Sequence, residues 1–520
     1  MKVHLMYPNE DFQLSRPLPG NQQELMQDLE LNTLLDAMAQ GDSFLRDIAH
    51  GALLGGTAAL EIIVYRQEIL QDFLKIPVVV REIYRIVSET IERRREHFFG
   101  IFTSHPSSIV TESVHMLEMF MAALKELREI SDRYATQATS AGLTALFQAL
   151  QGELSNDYFE RVQAHFQNLQ NGSGLLMRVQ LGKGNRGTGY TLVKPRNVTW
   201  LGRTLDNRLR GYTLHVNPKD EGGGKILSDI LDRGLNIVAN ALAQSTDYIV
   251  AFFNQLKVEM AFYAGCLNLY ETATTMGHVL CFPVPAKAGE RTYSAHSLYN
   301  ICLALTVRQR VVGNDVEAKG KDLWIITGAN QGGKSTFLKA IGVAQLMMQC
   351  GMFVPAEALT AHTCRGLFTH FRRQEDASMR SGKFDEELNR MSIIADAVQQ
   401  NSMLLLNESF AATNEREGSE IARQVIRGMV EHGVKVLFVT HLYDYAHHIY
   451  EDRPQNVLFL RAGRQGGGSR TYRIEPGEPL STSFGRDLYN EILHSNTGSG
   501  SRHSPFVNPH CDSVSKDQNS

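Results

Sequence analysis

The sequence predicts an α/β P-loop domain on a mostly parallel sheet toward the C-terminus, preceded by a mainly α-helical region with a small β insertion. Three observations carry this. An apolar run ending at Thr327 leads into Gly328-Ala-Asn-Gln-Gly-Gly-Lys-Ser335, followed at once by a helical pattern. Strand-like and helix-like runs then alternate to about residue 440, which is how a parallel sheet with helices on its faces reads. Upstream, from about Gln23 to Gln167, apolar residues recur at helical spacing, as in Val114, Leu117, Phe120, Met121 and Leu124.

Taken in order, residues 1–275 form the helical region. Within it, residues 173–216 change character, with Leu175–Leu181, Gly189–Val193 and Gly211–Val216 reading as short strands between Gly/Asn turns. Gly222-Gly-Gly marks a flexible joint before further helices from Ile226 to Thr275. Residues 276–493 form the P-loop domain, with strands at Asp322–Thr327, Ser402–Leu406 and Lys435–Thr440 and helices at Lys334–Cys350, Asp385–Gln400 and Arg416–Gly433. Residues 494–520, rich in Ser, Asn, Gly and His, offer little to bury and read as a disordered tail.

At 520 residues the chain has room for about three domains, and its net charge of -4 announces no general affinity for nucleic acid. A local patch is another matter. Arg178, Lys183, Arg186, Lys194 and Arg196, interleaved with Tyr190 and Trp200, have the composition of a surface that tracks phosphates. The same run also suits a solvated sheet edge protected by charge. Six scattered cysteines with no C-x-x-C pair, and no long apolar leader, fit a reducing, cytoplasmic location. No apolar run is long enough to span a bilayer.

The glycine loop carries the chemistry. Gly328, Gly332 and Gly333 permit a tight turn with inward-facing N–H groups, Lys334 reaches outer phosphates, and Ser335 offers a hydroxyl to magnesium. Ala329, Asn330, Gln331 and Thr336 complete the loop, so ATP with Mg2+ is the expected ligand. Asn407 and Glu408 end the apolar run Met403–Leu406, and His441 ends another, where an open α/β sheet collects ligand contacts. Glu408 is placed to orient an attacking water, Asn407 to receive a metal-bound water without adding charge, and His441 to sense a terminal phosphate. Ser381 and Gly382 precede a helix and could form a second anion-binding end for a neighbouring subunit, or a plain N-cap.

These residues resemble the MutS family of DNA mismatch-recognition ATPases. Four motifs occur in that family's order: Val312-Gly-Asn-Asp315, Gly328 to Thr336, Leu405-Leu-Asn-Glu408 followed by Thr413-Asn414, and Thr440-His441. Gly351-Met-Phe-Val-Pro-Ala356 and Ser483-Phe-Gly485 fit too. The resemblance implies an ABC-like ATPase, with Glu408 and His441 catalytic, Ser335, Asn407 and Glu408 at magnesium, and Ser381-Gly382 completing a partner's site in a homodimer. It further implies a DNA partner, and other repair proteins in mismatch repair or recombination. Departures from the pattern are Ala329 and Gln331 in place of Pro and Met, Asn407 in place of Asp, and Phe410-Ala411 in place of Gly-Arg. The family's Phe-x-Glu mismatch wedge has no counterpart, since Phe384-Asp-Glu386 lies beside the signature segment. The expectation is therefore a DNA clamp acting on branched or recombination structures; the alternative is an ATP-gated protein scaffold with weak hydrolysis.

Overall fold

The computed structural model describes residues 1–98, 106–170, 177–185, 187–192, 221–373, 382–464 and 470–480. Helices Gln22–Asp28, Leu31–Ala39, Ser43–Leu54, Leu60–Lys75, Pro77–Phe98, Pro106–Tyr134, Ala141–Glu153 and Asn156–Gln170 make up the first part. Each buries a stripe set by its own apolar spacing, for example Leu31, Leu34, Leu35 and Met38. Strands β1 (Met177–Leu181) and β2 (Gly187–Leu192) then form an antiparallel hairpin. The third expected strand, Gly211–Val216, lies outside the described residues, as do Arg186, Lys194, Arg196, Ser381 and the tail.

The glycine run differs from expectation. Gly222, Gly223 and Gly224 sit in the first turn of one 55-residue helix, Glu221–Thr275, and form no joint. The N–H groups of a first turn have no intrahelical partner, so glycine there costs little beyond its entropy. The heptad spacing that follows supplies the stabilisation. Leu235, Ala239, Leu242, Thr246, Ile249, Phe253, Leu256 and Met260 form a seam turned toward helices Pro77–Phe98 and Pro106–Tyr134.

The amino-terminal segment carries structure that periodicity does not reveal. Residues 1–12 form no helix or strand, yet Val3, Leu5, Met6, Tyr7 and Phe12 are buried. Glu259 of the long helix accepts backbone N–H bonds from Leu5 (2.5 Å), Met6 (3.0 Å) and Phe12 (3.1 Å). Arg66, fully buried, donates Nε to Met6 O at 2.7 Å and Nη1 to Cys350 O at 3.3 Å. One guanidinium thus ties the first residues to the end of the helix that follows the glycine loop.

The second part holds two sheets. The larger runs β12–β11–β6–β10–β9–β8, with β6 (Leu323–Gly328), β8 (Leu367–Phe371), β9 (Met403–Asn407), β10 (Lys435–Val439) and β11 (Val457–Arg464) parallel and β12 (Arg470–Pro476) antiparallel at the edge. The smaller sheet, β3–β7–β4–β5, uses β3 (Val284–Ala286), β4 (Tyr293–Leu298), β5 (Asn314–Glu317) and β7 (Ala358–His362). Sequence reading missed it because these strands are short and lack clean alternation. The observed helices here, Lys334–Gln349, Lys383–Ala397 and Glu415–Glu431, match the expected ones to within a few residues. A continuous apolar core joins the two parts, from Val3 and the helical layers through Trp324 and Met347 to Ile474. Among the described residues no helix is long and apolar enough to cross a membrane.

Candidate nucleotide site

The parallel strands β6, β9 and β10 end side by side, which brings three loops distant in sequence to one edge. The first loop leaves β6 at Gly328, whose φ of +108° and backbone approach to Ala462 leave no room for a Cβ. Gly333, at φ +92°, starts helix Lys334–Gln349 and directs its N-terminal N–H groups at the loop interior. Lys334 Nζ donates to Gly328 O and Ala329 O, both at 2.9 Å. Burial pushes this ammonium down to about 8, with Glu408 partly offsetting the loss.

The second loop leaves β9. Asn407 Oδ1 accepts a hydrogen bond from Ser335 Oγ at 2.8 Å, across 72 residues of sequence. Glu408 follows at φ +55° and Phe410 at φ +65°, left-handed conformations uncommon for such side chains. The turn is pinned by the Glu408 N–H, which donates to Val439 O at 2.8 Å. It is also packed from behind, because a Cβ at Gly418 would lie 2.4 Å from Phe410 O. This strained turn lifts Glu408 off the strand direction and toward the third loop.

There His441 Nε2 lies 3.1 Å from Glu408 Oε1, and Arg372 Nη1 lies 3.6 Å from Glu408 Oε2. The hydrogen bond with His441, then the charges of His441, Lys334 and Arg372, holds the Glu408 carboxyl below its ordinary range. Glu408 is therefore a carboxylate at neutral pH, able to accept a proton or orient a water.

Beside these groups opens a cavity of about 620 Å³. Its lining joins Asn330, Gln331, Gly332, Gly333, Lys334, Ser335, Thr336 and Glu408 with the apolar and aromatic Leu303, Val307, Val312 and Tyr472. Such a mixture of polar donors and apolar surface suits a ligand that carries both phosphates and a flat base. Sequence reading missed Tyr472 and Leu303. Tyr472 reaches the site from β12, where Asn314 Nδ2 donates to its carbonyl at 3.4 Å and Asn314 Oδ1 accepts from Ile474 N at 2.7 Å. No local pattern signals this, because Asn314 and Tyr472 are 158 residues apart.

The donors also fit magnesium, a hard cation that prefers oxygen: the Ser335 hydroxyl, the Asn407 amide oxygen and the Glu408 carboxylate stand together at the head of the loop. Other expected residues fall elsewhere. Gly382 is the N-cap of helix Lys383–Ala397 and does not line this cavity. Arg178 and Lys183 are exposed on and beside β1, in the hairpin ahead of the long helix.

Comparison with known proteins gives two family matches, the MutS2 N-terminal domain over residues 58–276 and MutS domain V over residues 324–485. A DNA mismatch repair protein MutS from Chloroflexus aurantiacus is 30% identical over 190 residues, covering 33% of this chain and 20% of that protein. One from Roseiflexus castenholzii is 26% identical over 323 residues, covering 56% of this chain and 29% of the relative. MutS protein homolog 4 of Mus musculus is 31% identical over 143 residues, covering 28% and 15%. The chain thus spans less than a third of each of these relatives.

Proposed function

This chain belongs to the MutS family, and from that premise we propose that it is an ATPase that couples nucleotide binding and hydrolysis to the gripping of DNA by a dimer. The observation that supports the proposal is that Lys334, Ser335 and Glu408 line one cavity, with Asn407 hydrogen-bonded to Ser335 and His441 to Glu408 behind it. Lys334 is held by carbonyls of its own loop, so a triphosphate would draw it off them and offset the burial that lowers its pKa. Ser335 and Asn407 would hold magnesium, which supplies positive charge against the phosphate oxygens. Glu408, kept ionised by its neighbours, would orient the attacking water, and His441 would report on the terminal phosphate through the same hydrogen bond. Val312, Leu303 and Tyr472 would exclude water around the base. Asn407 brings no charge, which favours weak metal retention and slow turnover. Ser381 and Gly382 would complete the site of a partner subunit.

The test separates binding from chemistry. Lys334→Ala should abolish nucleotide binding, whereas Glu408→Ala should bind ATP with nearly unchanged affinity and lose hydrolysis by roughly a hundredfold or more. Equilibrium binding and single-turnover hydrolysis measure the two. Normal hydrolysis by Glu408→Ala would remove the role assigned to that carboxylate.

The basic insertion supports the DNA half of the proposal. Replacing Arg178 and Lys183 by glutamate should weaken binding to duplex and junction DNA and reduce the slope of log affinity against log salt by about 2. Fluorescence anisotropy between low and moderate salt reads both. An absence of DNA affinity at low salt would favour the ATP-gated scaffold.

A further inference from the structure

The long helix Glu221–Thr275 carries two heptad seams, and one of them packs against helices of the same chain. The buried seam runs Leu235, Ala239, Leu242, Thr246, Ile249 and Phe253, alternating steps of four and three. Shifted by two residues, or about 200° around the helix, runs a second series with the same steps: Ile237, Ala241, Gln244, Tyr248 and Ala251. Ile237, Ala241, Gln244, Tyr248 and Ala251 on this second face are each exposed, while strand β2 of the hairpin packs on the same helix beside Arg233. Ile237 is 70% exposed and Tyr248 77%, the two largest exposures among the large hydrophobic side chains of the described residues. Ile230, partly buried, extends the series upstream. Downstream it stops where Gln255 donates to Phe12 O at 3.1 Å and the amino-terminal segment covers the helix.

Side chains at this spacing, apolar except for Gln244 and with Gly234 between Ile230 and Ile237, fit another helix of the same spacing, and charges beside the seam identify it. Arg233, Asn240 and Asp247 flank the open face at intervals of seven, all exposed. A second copy laid antiparallel, with its two-fold axis level with residue 239, sets Ile237 against Ala241 of the other copy and Ile230 against Tyr248. That register also brings Arg233 of each copy beside Asp247 of the other, giving two symmetric ion pairs, and pairs Asn240 with itself. A parallel alignment stacks Tyr248 on Tyr248 and leaves both charges facing uncharged positions, Val238 and Phe252. Small side chains at Ala241 and Ala251 allow the helices to approach closely.

We propose that the open face of helix Glu221–Thr275 between Ile230 and Ala251 is a docking surface for the same helix of a second copy of this chain, packed antiparallel and keyed by Arg233 and Asp247. It uses no residue of the nucleotide cavity, so it operates without nucleotide and survives Lys334→Ala. Its failure would leave the nucleotide reading untouched. Two such contacts, one at the P-loop domains and one at the long helices, would close a dimer into a ring.

Sedimentation of the full nucleotide-free chain over a concentration series tests this. The parent chain should self-associate, and Asp247→Arg and Arg233→Asp should each weaken association by roughly tenfold or more through like charges placed in contact twice per dimer. The double variant, with the charges exchanged, should regain the parent affinity. Arg233 also lies 5.9 Å from the Tyr190 ring of the hairpin, so a crosslinking measurement stands beside the charge series. An equimolar mixture of Ile237→Cys and Ala241→Cys chains should form a disulfide-linked dimer that the parent chain does not form, and Tyr248→Cys alone should not. A monomeric parent chain, a double variant no better than the single ones, or ready self-crosslinking through Tyr248→Cys would overturn the proposal.

Discussion

At the scale of single residues, the molecule places several charges where water cannot reach them, and each has a distinct consequence. Lys334 is buried but has two carbonyl acceptors, and phosphate chemistry to perform. Lys435 has neither. It opens β10 fully buried, with no hydrogen-bond partner for Nζ among the described residues. Its ammonium lies 4.9 Å from the Trp324 ring centroid and 5.4 Å from that of Tyr293, where cation–π attraction offsets part of the desolvation. Burial, then the charge of Arg291, pushes its pKa down to about 7. In the unfolded chain the same group titrates near its ordinary 10.5, so between about pH 7 and 10 the unfolded state binds more protons and stability rises with pH. Below pH 7 both states are protonated and the penalty is fully present. Lys435→Met should therefore be more stable than the parent chain at pH 6, by roughly 1–3 kcal/mol, and should lose the rise above pH 7. Urea midpoints from pH 6 to 10 check it.

At the scale of elements, the helix Lys334–Gln349 is buried along nearly its whole length and held at its far end. Its last carbonyls are not left to solvent. Arg66 binds Cys350 O, and Thr57 N donates to Gln349 O at 3.0 Å. A Cβ at Gly351 would lie 2.4 Å from Arg66 Cβ, so this approach is as close as backbone permits. Through Met6 O the same guanidinium reaches the amino-terminal segment, and through Glu259 that segment reaches the long helix. Arg66 also lies over the Tyr7 ring at 4.4 Å. Arg66→Met keeps the volume but leaves two buried carbonyls without this donor, which should cost roughly 2–4 kcal/mol in urea unfolding. A loss below about 0.5 kcal/mol would mean that water replaces the guanidinium.

At the scale of the whole molecule, the helical part and the sheet-bearing part share one apolar core. Met38 touches the long helix at Gly265, Leu29 packs against Gly342 of the helix after the glycine loop, and Asn21 donates to Leu367 O on the sheet edge at 2.8 Å. A chain cut after Thr275 would expose these faces on both pieces. The segment 276–493 alone should show weak near-ultraviolet circular dichroism and bind hydrophobic dyes, while the full chain unfolds in one cooperative transition. A well-folded isolated segment would mean that the shared core contributes little.

Sequence by itself determined what neighbouring residues decide. The strand, glycine turn and helix at Trp324–Thr336 are contiguous, and helical character from Ile226 to Thr275 is written into the chain, though not its continuity through Gly222–Gly224, because backbone hydrogen bonds and side-chain periodicity act over a few residues. The places of Glu408 and His441 just past β9 and β10 were legible for a related reason: an apolar run ending in polar groups marks the tip of a buried strand. Only the tertiary structure decided the rest. The contact of Ser335 with Asn407 spans 72 residues, that of Asn314 with Tyr472 spans 158, and the hold of Glu259 on Leu5 spans 254. Such pairs carry no local signature, since their partners are chosen by how sheets and helices pack. The left-handed turn at Glu408 and the burial of Val3, Leu5, Met6, Tyr7 and Phe12 belong to the same class: each is unfavourable or invisible in isolation and persists because the surrounding core holds it in place.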